Sequence, residues 1–386
     1  SHQQRETILE LEKELDNIRT AWQRAIDEAD LAAIQKGAHA YYDLNDIRGR
    51  YQEALDAAML AIRHLTSTPA TEQRDFTLAI IHNAAGGILI RMGRFSEARA
   101  ALENSIRLLQ VTGRRPLPGF GTEPLIVLGL LASTKGDIDE AVLLGEAALS
   151  RIDRQNDKLN SGFALYVLAN ATYSLGQFNT ALGYANQAYQ ISDEVGDHWF
   201  RSYILIVLGN IARAMHRYDQ AWEYYQASYD CKAEFNDVVG MAFALNCMAR
   251  TAWLQGNYQE ASHLYQRGCD LYREVNDPGG LATAIFGLGD AAQAAGDRQT
   301  SRQCFHQALS LAVDIQWTPL ILEIFTGIGD LLLNSGDVER AVELLALAVH
   351  HPTTELPTLR RAEQLLARAR TLQPAQGYTV TRQIGR

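Results

Sequence analysis

Three positions recur every forty residues through the middle of the chain, and each time they carry side chains able to hold another molecule. Tyr166, Asn170 and Tyr173 are followed by Ile206, Asn210 and Arg213, then by Asn246, Arg250 and Trp253, then by Phe286, Asp290 and Gln293. Three positions ahead of the first three trios stand Phe163, Tyr203 and Phe243. Steps of three and four within each trio put its members on one stripe of a helix. An asparagine amide offers both a donor and an acceptor to a peptide backbone. Arg213 and Arg250 suit a carboxylate, which a guanidinium grips with two parallel hydrogen bonds. Tyrosine and tryptophan add rigid contact area at low entropic cost. The stripe therefore has the chemistry of a binding surface for an extended peptide or protein segment. The same residues also fit a plainer description, a solvated helix face with aromatics packed between neighbouring helices.

Other chemistries lack support. No G-x-x-x-x-G-K-[S/T] loop exists to cradle phosphates, and Gly287-x-Gly289-x-x-Ala292 falls inside a helical pattern at packing positions. The four cysteines, Cys231, Cys247, Cys269 and Cys304, form no C-x-x-C, and Cys231, Cys247 and Cys269, in neighbouring repeats, read as buried apolar thiols. His350 and His351 precede Pro352 in a turn rather than a metal site. Tyr224, Tyr225 and Tyr229 read as packing on a second helix. No catalytic, metal or cofactor residue is assigned, and the chain is expected not to be an enzyme.

What positions the stripe is a repeat. A glycine, typically with an aromatic two positions on and an alanine five on, stands at Gly49, Gly93, Gly136, Gly176, Gly256, Gly296 and Gly336, with His216 in the fifth copy. The alanines are Ala54, Ala98, Ala141, Ala181, Ala221, Ala261 and Ala341, with Ser301 in the remaining place. Seven positions before each anchor from the second onward stand Gly86, Gly129, Ala169, Gly209, Ala249, Gly289 and Gly329, where a small residue lets a second helix approach. The anchors are 44, 43 and then five times 40 residues apart. Each period thus reads as helix, tight turn, helix, the glycine ending the first helix in the left-handed conformation. Asp157, Asp197, Asp237 and Asp277 mark the turns between periods and can cap the next helix. The Gly- and Pro-rich stretch 111–124 is expected to be an exposed excursion.

Eight such copies resemble tetratricopeptide repeats over residues 31–349, in a longer version than the usual 34-residue unit. The resemblance implies an all-α, right-handed superhelical solenoid of about eight hairpins, with the first helices lining its concave side. Residues 6–29 read as one N-terminal helix, within an N-terminal segment 1–30. Residues 350–373 read as a C-terminal capping helix and 374–386 as a disordered tail. The phrase LEKELDNIRTAWQRAIDEAD (11–30, beginning at Leu11), RGRYQEAL (48–55) and HHPTTELPTLRRAEQLLARAR (350–370) are similar to the sensor regions of bacterial STAND-class signal-transduction ATPases and transcriptional regulators. That likeness implies a nucleotide-binding module upstream, with ATP bound only there. The opening Ser1-His2, without a methionine, reads as a segment cut from a longer protein.

Composition agrees with a globular, non-spanning chain: 386 residues, 47% hydrophobic and 21% charged. A net charge of −10 disfavours direct nucleic-acid binding, and no apolar run is long enough for a membrane span. Free thiols suit the cytoplasm. The expectation is a sensor that binds a peptide or protein in its groove and relays occupancy to its own upstream module. The alternative is a scaffold that holds partner proteins without a switch.

Overall fold

A computed structural model describes residues 2–119, 121–354 and 356–372. Every regular element among them is an α-helix. Helices α1 (His2–Lys13) and α2 (Leu15–Asp27) precede the repeats. Eight consecutive pairs follow: α3 (Leu31–Ile47) and α4 (Tyr51–Thr66); α5 (Glu72–Arg91) and α6 (Phe95–Thr112); α7 (Pro124–Lys135) and α8 (Ile138–Arg151); α9 (Lys158–Ser174) and α10 (Phe178–Val195). The last four are α11 (His198–Ala214) and α12 (Tyr218–Glu234); α13 (Val238–Leu254) and α14 (Tyr258–Glu274); α15 (Pro278–Ala294) and α16 (Arg298–Asp314); α17 (Thr318–Ser335) and α18 (Val338–His350). Helix α19 (Leu356–Leu372) ends the described chain. The anticipated tail 374–386 lies outside the described residues.

The period is written in the backbone. All eight anchors have positive φ, from 59° at His216 to 88° at Gly296. Glycine reaches this region without a Cβ clash, so seven of eight copies use it. Asp157, Asp197, Asp237 and Asp277 each accept a backbone N–H three residues on, at 3.2, 3.0, 2.8 and 3.0 Å. These carboxylates satisfy donors that the first turn of a helix leaves open. The small residues do the packing. Ala54, Ala98, Ala141, Ala181, Ala221, Ala261, Ser301 and Ala341 are all fully buried. A Cβ on Gly209 would stand 2.4 Å from the Tyr225 ring, so this glycine sets how near α12 can lie to α11.

Two expectations need correction. Residues 6–29 form two helices with a bend at Glu14, although hydrogen bonds run on across it from Glu14 N to Glu10 O and from Ile18 N to Glu14 O. The stretch 111–124 is exposed only in its first half. Its end is tied down, because Asn83 Nδ2 donates to Gly121 O at 2.7 Å and Asn160 bonds Thr122 through both amide atoms. Thr122 and Glu123 are buried as a result. Of the cysteines, Cys247 and Cys269 are buried while Cys231 and Cys304 are partly exposed.

The chain divides into two compact units, residues 1–251 and 252–386, the division falling inside α13. Within the first, each pair packs internally and each second helix packs on the next pair's first helix, from α3 to α11. Within the second, α14 to α19 follow the same order, and α19 packs on α17 and α18 as a further first helix would.

Candidate functional site

In the first unit the stripe lies on α9, α11 and the part of α13 up to Thr251. Phe163 is buried, with Gly121 of the preceding loop beside its ring. Tyr166 packs on Phe163, Phe200 and Tyr203 at ring-centroid distances of 5.8, 6.0 and 6.5 Å. Burial pushes its hydroxyl up to about 12, so it remains a neutral donor. Asn170 Nδ2 donates to the Tyr166 carbonyl at 2.9 Å, and Tyr173 leans on Phe178. On α11, Asn210 Oδ1 accepts from both Tyr225 at 2.9 Å and Arg213 at 3.2 Å. On α13, Phe243 is exposed, Arg250 half-buried and Asn246 buried. Both amide atoms of Asn246 are buried without a hydrogen-bond partner.

In the second unit the remaining stripe residues have partners of their own. Asp290 is 3% exposed and takes both guanidinium nitrogens of Arg361 from α19, at 2.7 and 2.8 Å. Phe286 is buried against Phe305, with Arg361 over its ring. Trp253 Nε1 donates to the Asp290 carbonyl at 3.3 Å, and Gln293 Nε2 donates to Asp330 at 2.7 Å. Here the stripe is knit to α17 and α19, and the stripe residue whose side-chain amide is left without partners, Asn246, lies in the first unit.

A polar seam, most of it unmarked by the repeat spacing, runs through the first unit. Arg91, at the end of α5, pairs with Asp46 at 3.0 Å and donates to the Tyr203 hydroxyl at 3.2 Å. On the same ring lies Lys232 Nζ, 3.2 Å from the centroid and paired at 2.8 Å with Asp237. Arg48 bonds Glu12 and donates to the Phe235 carbonyl at 2.5 Å. Leu44, Ile47, Trp199 and Phe235 form an apolar cluster alongside, with Leu11, Leu15 and Ile18 packed on it. The seam thus joins the ends of α3 and α5 to the start of α11 and the end of α12, and it employs Tyr203. Burial lowers Lys232 to about 8, against the pull of Asp237. Asp43 reaches solvent, yet desolvation first, then Asp46 and Asp197, push its carboxyl up to about 8. Asp43 and Asp46 stand six and three positions before Gly49. Applying to the first copy the offsets read in the later ones would have found them.

Among the described residues no group of three or more His, Cys, Asp or Glu side chains could hold a metal ion, and no helix is long and apolar enough to cross a membrane. No curated protein matches the sequence. Three solved structures are similar to the chain. A Rap protein complexed with Competence and Sporulation Factor has a TM-score of 0.61 at 12% identity, over 89% of this chain and all of that one. The Rap conjugation regulator of plasmid pLS20, in complex with the Phr* peptide, has 0.59 at 15%, over 90% and 98%. A STAND protein with a tetratricopeptide repeat sensor from Pyrococcus horikoshii has 0.51 at 11%, over 83% of this chain and 53% of that one. At these identities the likeness is one of fold. The tetratricopeptide repeat family model matches residues 200–274 and 240–315. Those matches cover α11 to α16, where anchors, caps and small residues recur at forty, so residues 200–315 are tetratricopeptide repeats, and the described residues as a whole are all-α, in consecutive packed helix pairs.

Proposed function

We propose that the first-helix face of α9, α11 and α13 binds an extended peptide or a segment of a partner protein, without catalysis. The observation that carries this reading is Asn246, whose buried amide has neither donor nor acceptor satisfied. Such a group costs about 1–3 kcal/mol unless a partner arrives, and a peptide backbone supplies both halves of that partner. Tyr166, Tyr173, Asn170, Asn210, Arg213 and Arg250 flank it on the same stripe. The peptide complexes of the two Rap structures support the reading by analogy of fold. Occupancy would be relayed to an ATP-binding module upstream, as in a bacterial signalling ATPase that regulates transcription. The relay is a population shift, in which the ligand favours one arrangement of the seam over another. The setting would be the cytoplasm, with no direct nucleic-acid or membrane contact.

The test is peptide display against the wild-type chain and against an Asn170/Asn210/Arg250 triple-alanine variant, with circular dichroism confirming that both fold. Peptides retained by the first and lost by the second support the site. Equal retention by both would move binding off this face.

A further inference from the structure

We infer that Gly121 and Thr122 are an internal occupant of the first-helix face, which the bound peptide displaces by presenting the same chemistry, a small residue followed by a hydroxyl residue. This rests on the peptide reading above and adds the upstream end of the face and the sequence that end selects. The register of the repeats gives the first observation. Helices α3, α9, α11, α13, α15 and α17 each begin 18 positions before their anchor, but α7 begins at Pro124, 12 before Gly136. Prolines and glycines cause the delay. Pro118 and Pro124 keep the residues before them out of the helical region, and Glu123 is accordingly extended. Gly121 sits at φ 66°, where a side chain is strained. Gly121, Thr122 and Glu123, which the period assigns to the first turns of a helix, are therefore unwound, and their backbone groups turn to side chains of the flanking first helices.

Asn83 of α5 donates to the Gly121 carbonyl at 2.7 Å. Asn160, in the first turn of α9, accepts the Thr122 N–H at 3.2 Å and donates to the Thr122 hydroxyl at 2.5 Å. Gly121 also lies against the Phe163 ring, 3.5 Å from where its Cβ would stand. Asn83 precedes Gly93 by ten positions, as Asn246 precedes Gly256, so the segment fills on α5 the stripe position that is open on α13. The fit is incomplete. Asn83 is 5% exposed, and its Oδ1 has no partner, because the segment brings it a carbonyl and no N–H. A cavity of about 10 Å³ remains beside it, bordered by Ile80, Leu109, Leu117 and Thr122. An incoming extended peptide supplies both an acceptor and a donor, and so satisfies the whole Asn83 amide. That difference favours exchange of the internal segment for an external one. The Asn160 amide then needs an acceptor beside the next N–H, which a serine or threonine hydroxyl provides as Thr122 does.

Two measurements decide it. The first uses the segment as its own probe, an acetylated and amidated peptide PLPGFGTEP (116–124). It is titrated into the wild-type chain and into a variant with 116–123 replaced by a Gly-Ser linker of equal length, circular dichroism confirming that both fold. The vacated face should bind the peptide roughly tenfold more tightly than the wild type does, and a peptide with valine for its threonine should lose that gain. Equal binding to both chains, or none to either, overturns the inference. If the linker variant does not fold, Gly121→Ala takes its place, since alanine at φ 66° loosens the segment while α5 and α9 keep their sequence. In the second measurement, display-selected peptides are added to the wild type and hydrogen exchange of the Thr122 amide is followed. Exchange should quicken roughly tenfold on binding, and the selected sequences should be rich in glycine or alanine followed by serine or threonine. Peptides that bind this face and leave Thr122 protected overturn the inference, and the peptide reading stands. If display selects nothing, the peptide reading falls, and the first measurement alone decides whether the segment is a displaceable occupant.

Discussion

The guanidinium of Arg91 donates to the hydroxyl of Tyr203 at 3.2 Å, tying the end of the second pair's first helix to the start of the fifth's. Repeat proteins ordinarily rely on nearest-neighbour contacts. This bond and its companions span well over a hundred positions of sequence, so the first unit has a closure that its repeats alone do not provide.

Replacing Arg91 with alanine tests that closure. It leaves Asp46 and Tyr203 without their shared partner. The expected loss is about 1–2 kcal/mol, discounted for partial exposure. Backbone amides of α3 and of early α11 should exchange faster with solvent, while α15 to α19 stay protected. Unchanged exchange in α11 would mean that the seam carries no weight.

His216 is the one anchor that is not glycine, and its φ is 59°. A side chain in that region is strained by about 1–2 kcal/mol. The ring's 3.0 Å contact with the Tyr218 hydroxyl and the extra freedom of an unfolded glycine offset part of this. His216→Gly should raise stability by roughly 0.5–1 kcal/mol by denaturant titration. A lower midpoint would show that the His216–Tyr218 contact outweighs the strain.

Two glycines inside first helices should respond oppositely to the same substitution. Gly209→Ala drives a methyl to 2.4 Å from Tyr225 and should cost about 1–3 kcal/mol, as should Ala221→Leu nearby. Gly87 has nothing within 4 Å of an added Cβ, and Gly87→Ala should stabilise by up to about 1 kcal/mol. Equal effects at 87 and 209 would refute this account of helix approach.

The seam and its surroundings should make stability depend on pH in two windows. Asp43 rises from 3.8 to about 8 on folding, so its contribution is present below pH 4 and lost as pH climbs towards 8. Lys232 falls from 10.5 to about 8, so its contribution is present above pH 10.5 and lost as pH falls through 8. Taken alone, these two groups place the minimum near pH 8. Asp43→Asn should flatten the acid-side limb in midpoints measured from pH 5 to 8. An unaltered slope would assign that limb to other carboxylates.

The repeat was legible because its marks are local. A left-handed anchor, a capping aspartate and a buried alanine each act within a few residues, so periodic spacing reveals them. The stripe's offsets were legible for the same reason. What the stripe residues do was less so. Asp290 looked available until Arg361, 71 positions later, was seen to hold it. Tyr203 looked like part of a groove, but it is shared with Arg91 and Lys232. Phe163 is covered by a loop that composition alone marked as exposed. Such partnerships depend on where distant segments meet, and spacing within one repeat carries no trace of that.

The seam also has a mechanical consequence. Under tension applied at its ends, an array of helical pairs surrenders length one pair at a time, each step small. Cross-bonds from Arg48 to Phe235 and from Arg91 to Tyr203 short-circuit that sequence, so a load entering through α1 is shared at once by α3, α5, α11 and the end of α12. The first unit would then behave as a brittle block with one large rupture, and whatever loosens the seam would turn it into a compliant spring.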